Sequence, residues 1–418
     1  MLAKLWKSET AAVLADQAAV SGGNFLTTLV LARTLAPAEY GTFSLLFLAL
    51  FGINTCHSSL VVYPLTLRAA TATDQELKTT AASALLHTVA LSLPLAAALS
   101  LIAIVLHRAD LCLSLALAMF AWQVQETARR VLLGSRRTHS SILPDALCYL
   151  GQGLLVFVLR PHTLTDVFLL FALTSFAATL WQFGVTGLNF SPVAVKEHTK
   201  YAWRMGRYIL GGNLLNMMSL QIPGWALAIF AGTPSVAGYQ SLLNLVGVAN
   251  PIIFSASNLL IPAVARNAGL GSVFARKTVV RQGLRYGALL VPCFAALLLA
   301  PHAIMRAAYG ATSPYANFSG LLRPFVLAFA LQYLATVVGA YEGGMSRPHT
   351  YLWVQIAGTV TLVAAATTLI SPYGIAGAVY AMLLASLTRL IVSLLAAQHG
   401  DRRLNASLTS KERLGAIA

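Results

Sequence analysis

The sequence predicts an all-α polytopic membrane protein, with about 12 transmembrane helices in two parallel six-helix lobes around a central cleft. Three observations carry this expectation. First, 57% of the 418 residues are hydrophobic and only 10% are charged, with a mean hydropathy of +0.73; a soluble globule would carry about a quarter charged residues. Second, apolar windows of about twenty residues, the length needed to cross hydrocarbon, recur along the whole chain. Third, short motifs of the first half return in the second.

The windows fall at 11–33, 41–66, 80–106, 111–133, 143–160, 165–187, 206–230, 236–262, 285–306, 321–341, 350–370 and 374–397. The first follows Lys4 and Lys7 and is longer than the apolar core of a cleaved signal peptide, so it reads as a retained helix. Of the 28 Lys and Arg residues, 23 fall in one alternating set of connections, leaving only Arg33, Arg108, Arg160, Arg306 and Arg323 in the other. Basic residues are retained on the cytoplasmic side, so both termini are expected there. The net charge of +15 then reads as topology signalling, and no nucleic-acid partner is expected. Cys56, Cys112, Cys148 and Cys293 have neither metal-ligand nor paired spacing and read as packing residues, with no metal site expected.

PAEYGTFSLL at 37–46 returns as PSVAGYQSLL at 234–243, sharing Pro37/Pro234, Gly41/Gly238, Ser44/Ser241, Leu45/Leu242 and Leu46/Leu243. GGNFL at 22–26 returns as GGNLL at 211–215. Six helices separate each pair, an even number, so both copies run the same way through the membrane. This gives an N-terminal lobe over 1–190, a C-terminal lobe over 191–400 and a cytoplasmic tail over 401–418. The longest connection is expected at 263–284. There Lys277, Arg281 and Arg285 share one helical face, which either lies on anionic headgroups or simply fixes topology.

LARTLAPAEYGTFSLL resembles the first-loop pattern of the Wzx-type polysaccharide flippases, the lipid-linked oligosaccharide and O-antigen branch of the multidrug/oligosaccharidyl-lipid/polysaccharide exporter superfamily. QETARRVLLGSRRTHSSILPDALCYL, GYQSLLNLVGVANPIIFSASNLLIPAVAR, AAYGATSPYANFSGLLR and PYGIAGA resemble later stations of that family, in order. The resemblance implies translocation of undecaprenyl-pyrophosphate-linked oligosaccharide repeat units across the bacterial cytoplasmic (inner) membrane by alternating access. Implied partners are membrane lipid, the prenyl-linked glycan and the polysaccharide polymerase and chain-length machinery. No cofactor is implied, and coupling to protons or sodium is left open. A cation-coupled multidrug-type antiporter is the alternative, although residues 33–41 depart from the early Asp and Gly-rich first-helix pattern of those extruders. The chain has no Gly-rich phosphate loop with a Lys, no HExxH and no nucleophile elbow, so an enzyme is not expected.

An anionic pyrophosphate and a polar glycan need a hydrated, cation-bearing path through hydrocarbon, so intramembrane polar residues are the candidates. Glu126, Arg129 and Arg130 cluster near the end of helix 4; a guanidinium fork suits phosphate, and a helix-end ion pair is the competing reading. Asp16 lies in helix 1 beside Gln17 and ahead of Asn24, as a coupling group or an interhelical hydrogen-bond partner. His57, within Asn54-Thr55-Cys56-His57-Ser58-Ser59, is either cleft-lining or a satisfied packing histidine. Arg207 enters helix 7 with Asn213 and Asn216, which makes the three candidate substrate contacts of the second half.

Overall fold

The computed structural model describes residues 9–69, 72–135, 137–268, 271–345 and 347–415. Lys4, Lys7 and Arg136 lie outside them, as do the side chains of Gln17 and Asn216. All of the regular structure in the described residues is helical.

Long helices follow one another as the apolar windows demand: α1 (Glu9–Thr34), α2 (Pro37–Ala69), α3 (Asp74–Val105), α4 (Cys112–Gly134), α5 (138–159), α6 (Leu164–Thr186) and α7 (Pro192–Ala231). Then come α8 (233–268, with a break at 248–249), α9 (Ser272–Leu299), a short helix at Pro301–Tyr309, and α10 (Leu322–Gly344). A final helical run over 348–415 breaks only at Gly374, whose φ of 53° is non-helical. It therefore consists of α11 (348–373) and α12 (375–415). Local chemistry sets several starts. Pro37 and Pro234 occupy first-turn positions, where the missing N–H costs nothing. Thr73 and Glu76 form a reciprocal capping box on α3, satisfying two otherwise orphaned donors.

Seven helical runs among the described residues are long and apolar enough to span a bilayer, with α11 and α12 falling in one of them. α4 falls short of that criterion because Gln123, Gln125, Glu126, Arg129 and Arg130 interrupt its apolar run. Helix ends differ from the windows where polar residues extend a helix beyond its apolar core. The expected connection at 263–284 is one such place: α8 runs to Ala268, α9 starts at Ser272, and Lys277, Arg281 and Arg285 lie exposed on α9 itself. α7 starts at Pro192, and α12 continues as helix to 415 through the expected tail.

The chain divides into two compact units, Met1–Trp225 and Ala226–Ala418. In the first, α4 packs along α6 and α3, while α1 packs along α5. Gly23, from the repeated GGN motif, permits that last approach: a Cβ there would lie 2.4 Å from the Tyr149 backbone. In the second unit, α10 packs against α8, α9 and the α11–α12 run. The two PxxxGxxSLL motifs open α2 and α8, and in each the serine bonds back into the preceding turn, Ser44 to the Tyr40 carbonyl four residues back at 2.8 Å and Ser241 to the Gly238 carbonyl three back at 2.7 Å.

A further correspondence emerges at an offset that the motifs above do not share. Gly134, Arg137 and His139 match Gly344, Arg347 and His349. The Arg137 amide bonds the Leu132 carbonyl at 2.8 Å, and the Arg347 amide bonds the Glu342 carbonyl at 3.0 Å, closing identical turns after α4 and α10. Gly134 faces Thr66 and Ala69 of α2, and Gly344 faces Ile261 and Val264 of α8. The same close helix crossing thus occurs once in each unit.

Candidate functional site

The first unit contains an open cavity of about 410 Å³. Two of its walls are built around π-helical turns, Ser58–Val62 in α2 and Ala146–Leu150 in α5. Such turns insert one residue into the helical ladder and re-aim the side chains beside them. Ser58 from the first turn, and Cys148 and Tyr149 from the second, face the cavity. Aromatic rings form one side: Phe47 stands edge-on to Phe51 at 4.8 Å, and Phe51 edge-on to Trp122 at 5.3 Å. Asn24, Asn54, Thr55, Gln152 and Asn213 supply amides and a hydroxyl. Asn213 reaches the cavity from α7 and donates to Ser59 Oγ at 3.0 Å.

Glu126, Arg129 and Arg130 make the charged wall. Arg129 is the hub of an ion cluster. Its Nη2 donates to Asp16 of α1 at 2.5 Å, its Nη1 to Glu126 at 3.2 Å, and its Nε to Asp145 of α5 at 2.8 Å. Asp145 is fully buried and also accepts from Gln125 and Gln182 Nε2, each at 2.9 Å. Ser141 Oγ donates to Asp16 at 3.4 Å. One guanidinium with three forked donor directions can satisfy three carboxylates in a low-dielectric interior, where a Lys point charge could not. The cluster therefore ties α1, α4 and α5 together.

Arg130 differs from its neighbour. Its Nε donates to Glu126 at 2.5 Å, and its side chain is 39% exposed. Among the described residues its two terminal nitrogens have no protein partner, and the residue lines the cavity. Counting formal charges, the cluster holds three carboxylates against two guanidiniums.

The sequence candidates separate accordingly. Asp16, Glu126 and Arg129 meet in the cluster, and Asn24, Asn213, Glu126, Arg129 and Arg130 reach the cavity. His57 does not line it. Its ring is completely buried between α3 and α4, with Nε2 at 3.1 Å from both Thr88 and Thr127 hydroxyls, the packing arrangement rather than the cleft-lining one. Arg207 is exposed on α7 and is not part of the cavity wall. The expected picture of Arg129 as a free phosphate-holding cation is also altered, because its donors are committed to carboxylates. Asp145 was missed by the sequence reading. Its signal was available: an acid following Pro144 at the head of an apolar window is as costly in a bilayer as Asp16.

No known protein family matches the sequence, and no curated protein matches it either. Solved structures do. The chain is similar to a multidrug resistance MATE family transporter of the MOP superfamily, with a TM-score of 0.78 at 14% identity, covering 96% of this chain and 99% of the other. The fold is that of the MOP-superfamily transporters. The chain is likewise similar to the lipid II flippase MurJ, with a TM-score of 0.73 at 10% identity over 93% of this chain and 87% of that one. A third similar structure is a MOP superfamily transporter from Pyrococcus furiosus, described by the reverse polarity of its binding pocket. It has a TM-score of 0.62 at 16% identity over 96% and 98% of the two chains. Identities this low speak for the fold alone: a multi-pass membrane protein built as transporters of this superfamily are built.

Proposed function

We propose that this protein is a flippase of the cytoplasmic (inner) membrane that moves undecaprenyl-pyrophosphate-linked oligosaccharide repeat units from the cytoplasmic to the periplasmic leaflet by alternating access. Its place would be in polysaccharide biosynthesis and export, for an O-antigen, capsule or exopolysaccharide. The observation that carries the reading is the wall of the first-unit cavity where Arg130, its terminal guanidinium nitrogens without a partner among the described residues, lines a space edged by aromatic rings and amides. Planar rings stack on sugar faces, amides bond hydroxyls, and a guanidinium fork matches phosphate oxygens. The ordered family-like motifs support the same reading. Arg129 acts one step back, neutralising the carboxylates that would otherwise repel an anionic headgroup.

The test is genetic and biochemical. Deleting the gene should leave prenyl-linked repeat units on the cytoplasmic leaflet. Arg130→Gln should lower export about tenfold or more, the size of effect expected for one charge-assisted contact, at normal expression and melting temperature. An unchanged leaflet distribution in the deletion strain would refute the proposal.

A second reading, a cation-coupled multidrug-type antiporter, is favoured by the excess of carboxylates in the same cluster. Proton- or sodium-driven dye efflux from vesicles that is lost in Asp16→Asn, with repeat-unit translocation intact in the deletion strain, would select it over the first.

A further inference from the structure

In the second unit, Arg389 of α12 is the one charged residue between Arg347 and Asp401. It sits about 22 Å along its helix from the Gly374 break at 1.5 Å per residue, well inside a hydrocarbon layer about 30 Å thick. Its side chain lies across α11 at Gly358, where a Cβ would come within 2.4 Å of its Cγ and Nε. The glycine is therefore a slot through which the arginine passes. Arg389 Nε is buried with no hydrogen-bond partner, as are the hydroxyls of Ser386 and Ser393, which are 0% and 1% exposed. Positions 386, 389 and 393 share one helical stripe. No carboxylate of the described residues pairs with Arg389.

An unpaired guanidinium at membrane depth is costly unless an anion meets it. Two fully buried hydroxyls on the same stripe, both unused, supply further donors of the kind a phosphate accepts. A phosphate attached to a lipid is brought to this depth by its own chains, whereas one free in water would be desolvated to reach it. The depth lies toward the end of the bundle that the Lys and Arg count assigns to the cytoplasm.

We propose that Arg389, Ser386 and Ser393, with the Gly358 slot, form a binding site for the phosphate of an anionic membrane lipid. The site is separate from the cavity of the first unit, and nothing in the proposal depends on what that cavity carries. The lipid is either a resident anionic phospholipid or a prenyl pyrophosphate, and the two are distinguished by titration.

The experiment uses the purified full-length protein, delipidated in detergent. Phosphatidylglycerol, phosphatidylcholine, undecaprenyl pyrophosphate and inorganic phosphate are titrated, and binding is read by native mass spectrometry and by thermal shift. The wild type should bind phosphatidylglycerol, undecaprenyl pyrophosphate or both, and Arg389→Gln should weaken that binding about tenfold or more. Gly358→Leu keeps the arginine but fills its slot, and it should produce the same loss, so a folding defect in one variant does not end the test. Arg389→Lys should fall between wild type and Arg389→Gln, because it keeps charge without the planar fork. Preference for phosphatidylglycerol supports a resident lipid, and preference for undecaprenyl pyrophosphate supports the prenyl form of the same site. Unchanged affinities in both variants, equal binding of phosphatidylcholine and phosphatidylglycerol by the wild type, or retention of inorganic phosphate but of neither lipid would each overturn the proposal.

Discussion

Arg129 and Arg130 are adjacent in sequence and opposite in consequence. Removing Arg129 leaves Asp16 and Asp145 buried without their counter-charge and Glu126 with Arg130 alone, and breaking a buried pair in this way costs about 3–5 kcal/mol. Arg129→Leu should therefore abolish monodisperse protein on size-exclusion chromatography. Asp145→Asn should partly restore it, since one uncompensated charge is then gone. Arg130, bonded to Glu126 through Nε and lining the cavity, should tolerate Gln with little change in melting temperature. A third arginine, Arg108, binds Glu39 at 2.9 Å and Asp110 at 3.1 Å and pins the α3–α4 connection to the start of α2. Its hydrogen bonds, and then its charge, hold the Asp110 carboxyl below the usual carboxylate range. The folded state thus takes up that proton less readily than the unfolded chain. The stabilisation is complete above the ordinary carboxylate value and is lost as pH falls through the lowered one. Melting curves of wild type and Asp110→Asn should differ at about pH 6 and approach one another only as pH falls below the ordinary carboxylate range. The gap should be small and salt-sensitive, because the Asp110 carboxylate is exposed.

At the scale of elements, Gly134 and Gly344 make matched predictions. A Cβ at Gly134 would stand 2.8 Å from Ala69 Cβ, and one at Gly344 would stand 2.5 Å from Val264 Cβ. Substituting Val at either position should cost about 1–3 kcal/mol by overpacking and lower the melting temperature in both variants; tolerance of Val at both would remove the case for equivalent crossings. The existence and order of the helices could be read directly from the sequence, because a bilayer demands runs of about twenty apolar residues and little else in the chain supplies them. Their ends could not. α7 begins at Pro192 and α9 at Ser272, and their early turns carry Lys196 and Lys200 or Arg276 and Lys277, which a hydropathy window excludes but a helix accepts. α1 and α4 announced the site by the cost of Asp16, Glu126 and Arg129 in hydrocarbon. Which carboxylate meets which guanidinium was hidden, because Arg129 and Asp16 are 113 residues apart and meet only through the packing of α1, α4 and α5. The placement of His57 had the same origin: Thr88 and Thr127 reach it from two other helices.

For the molecule as a whole, the similarity to transporters at 10–16% identity over more than nine-tenths of the chain is what a membrane scaffold allows. Leu, Ile, Val and Ala exchange freely against lipid, whereas glycine crossings and first-turn prolines have few substitutes. The two units share that punctuation and differ in where they bury charge. The Arg129 cluster has an electrical consequence. With every group ionised, its three acids and two bases leave one negative charge inside the bilayer, and a full traverse of the membrane field is worth about 2.3 kcal/mol per charge for each 100 mV. Any step that shifts this cluster along the field is then driven or opposed by the cell's voltage, whereas binding a single monovalent cation would make the same step electrically silent.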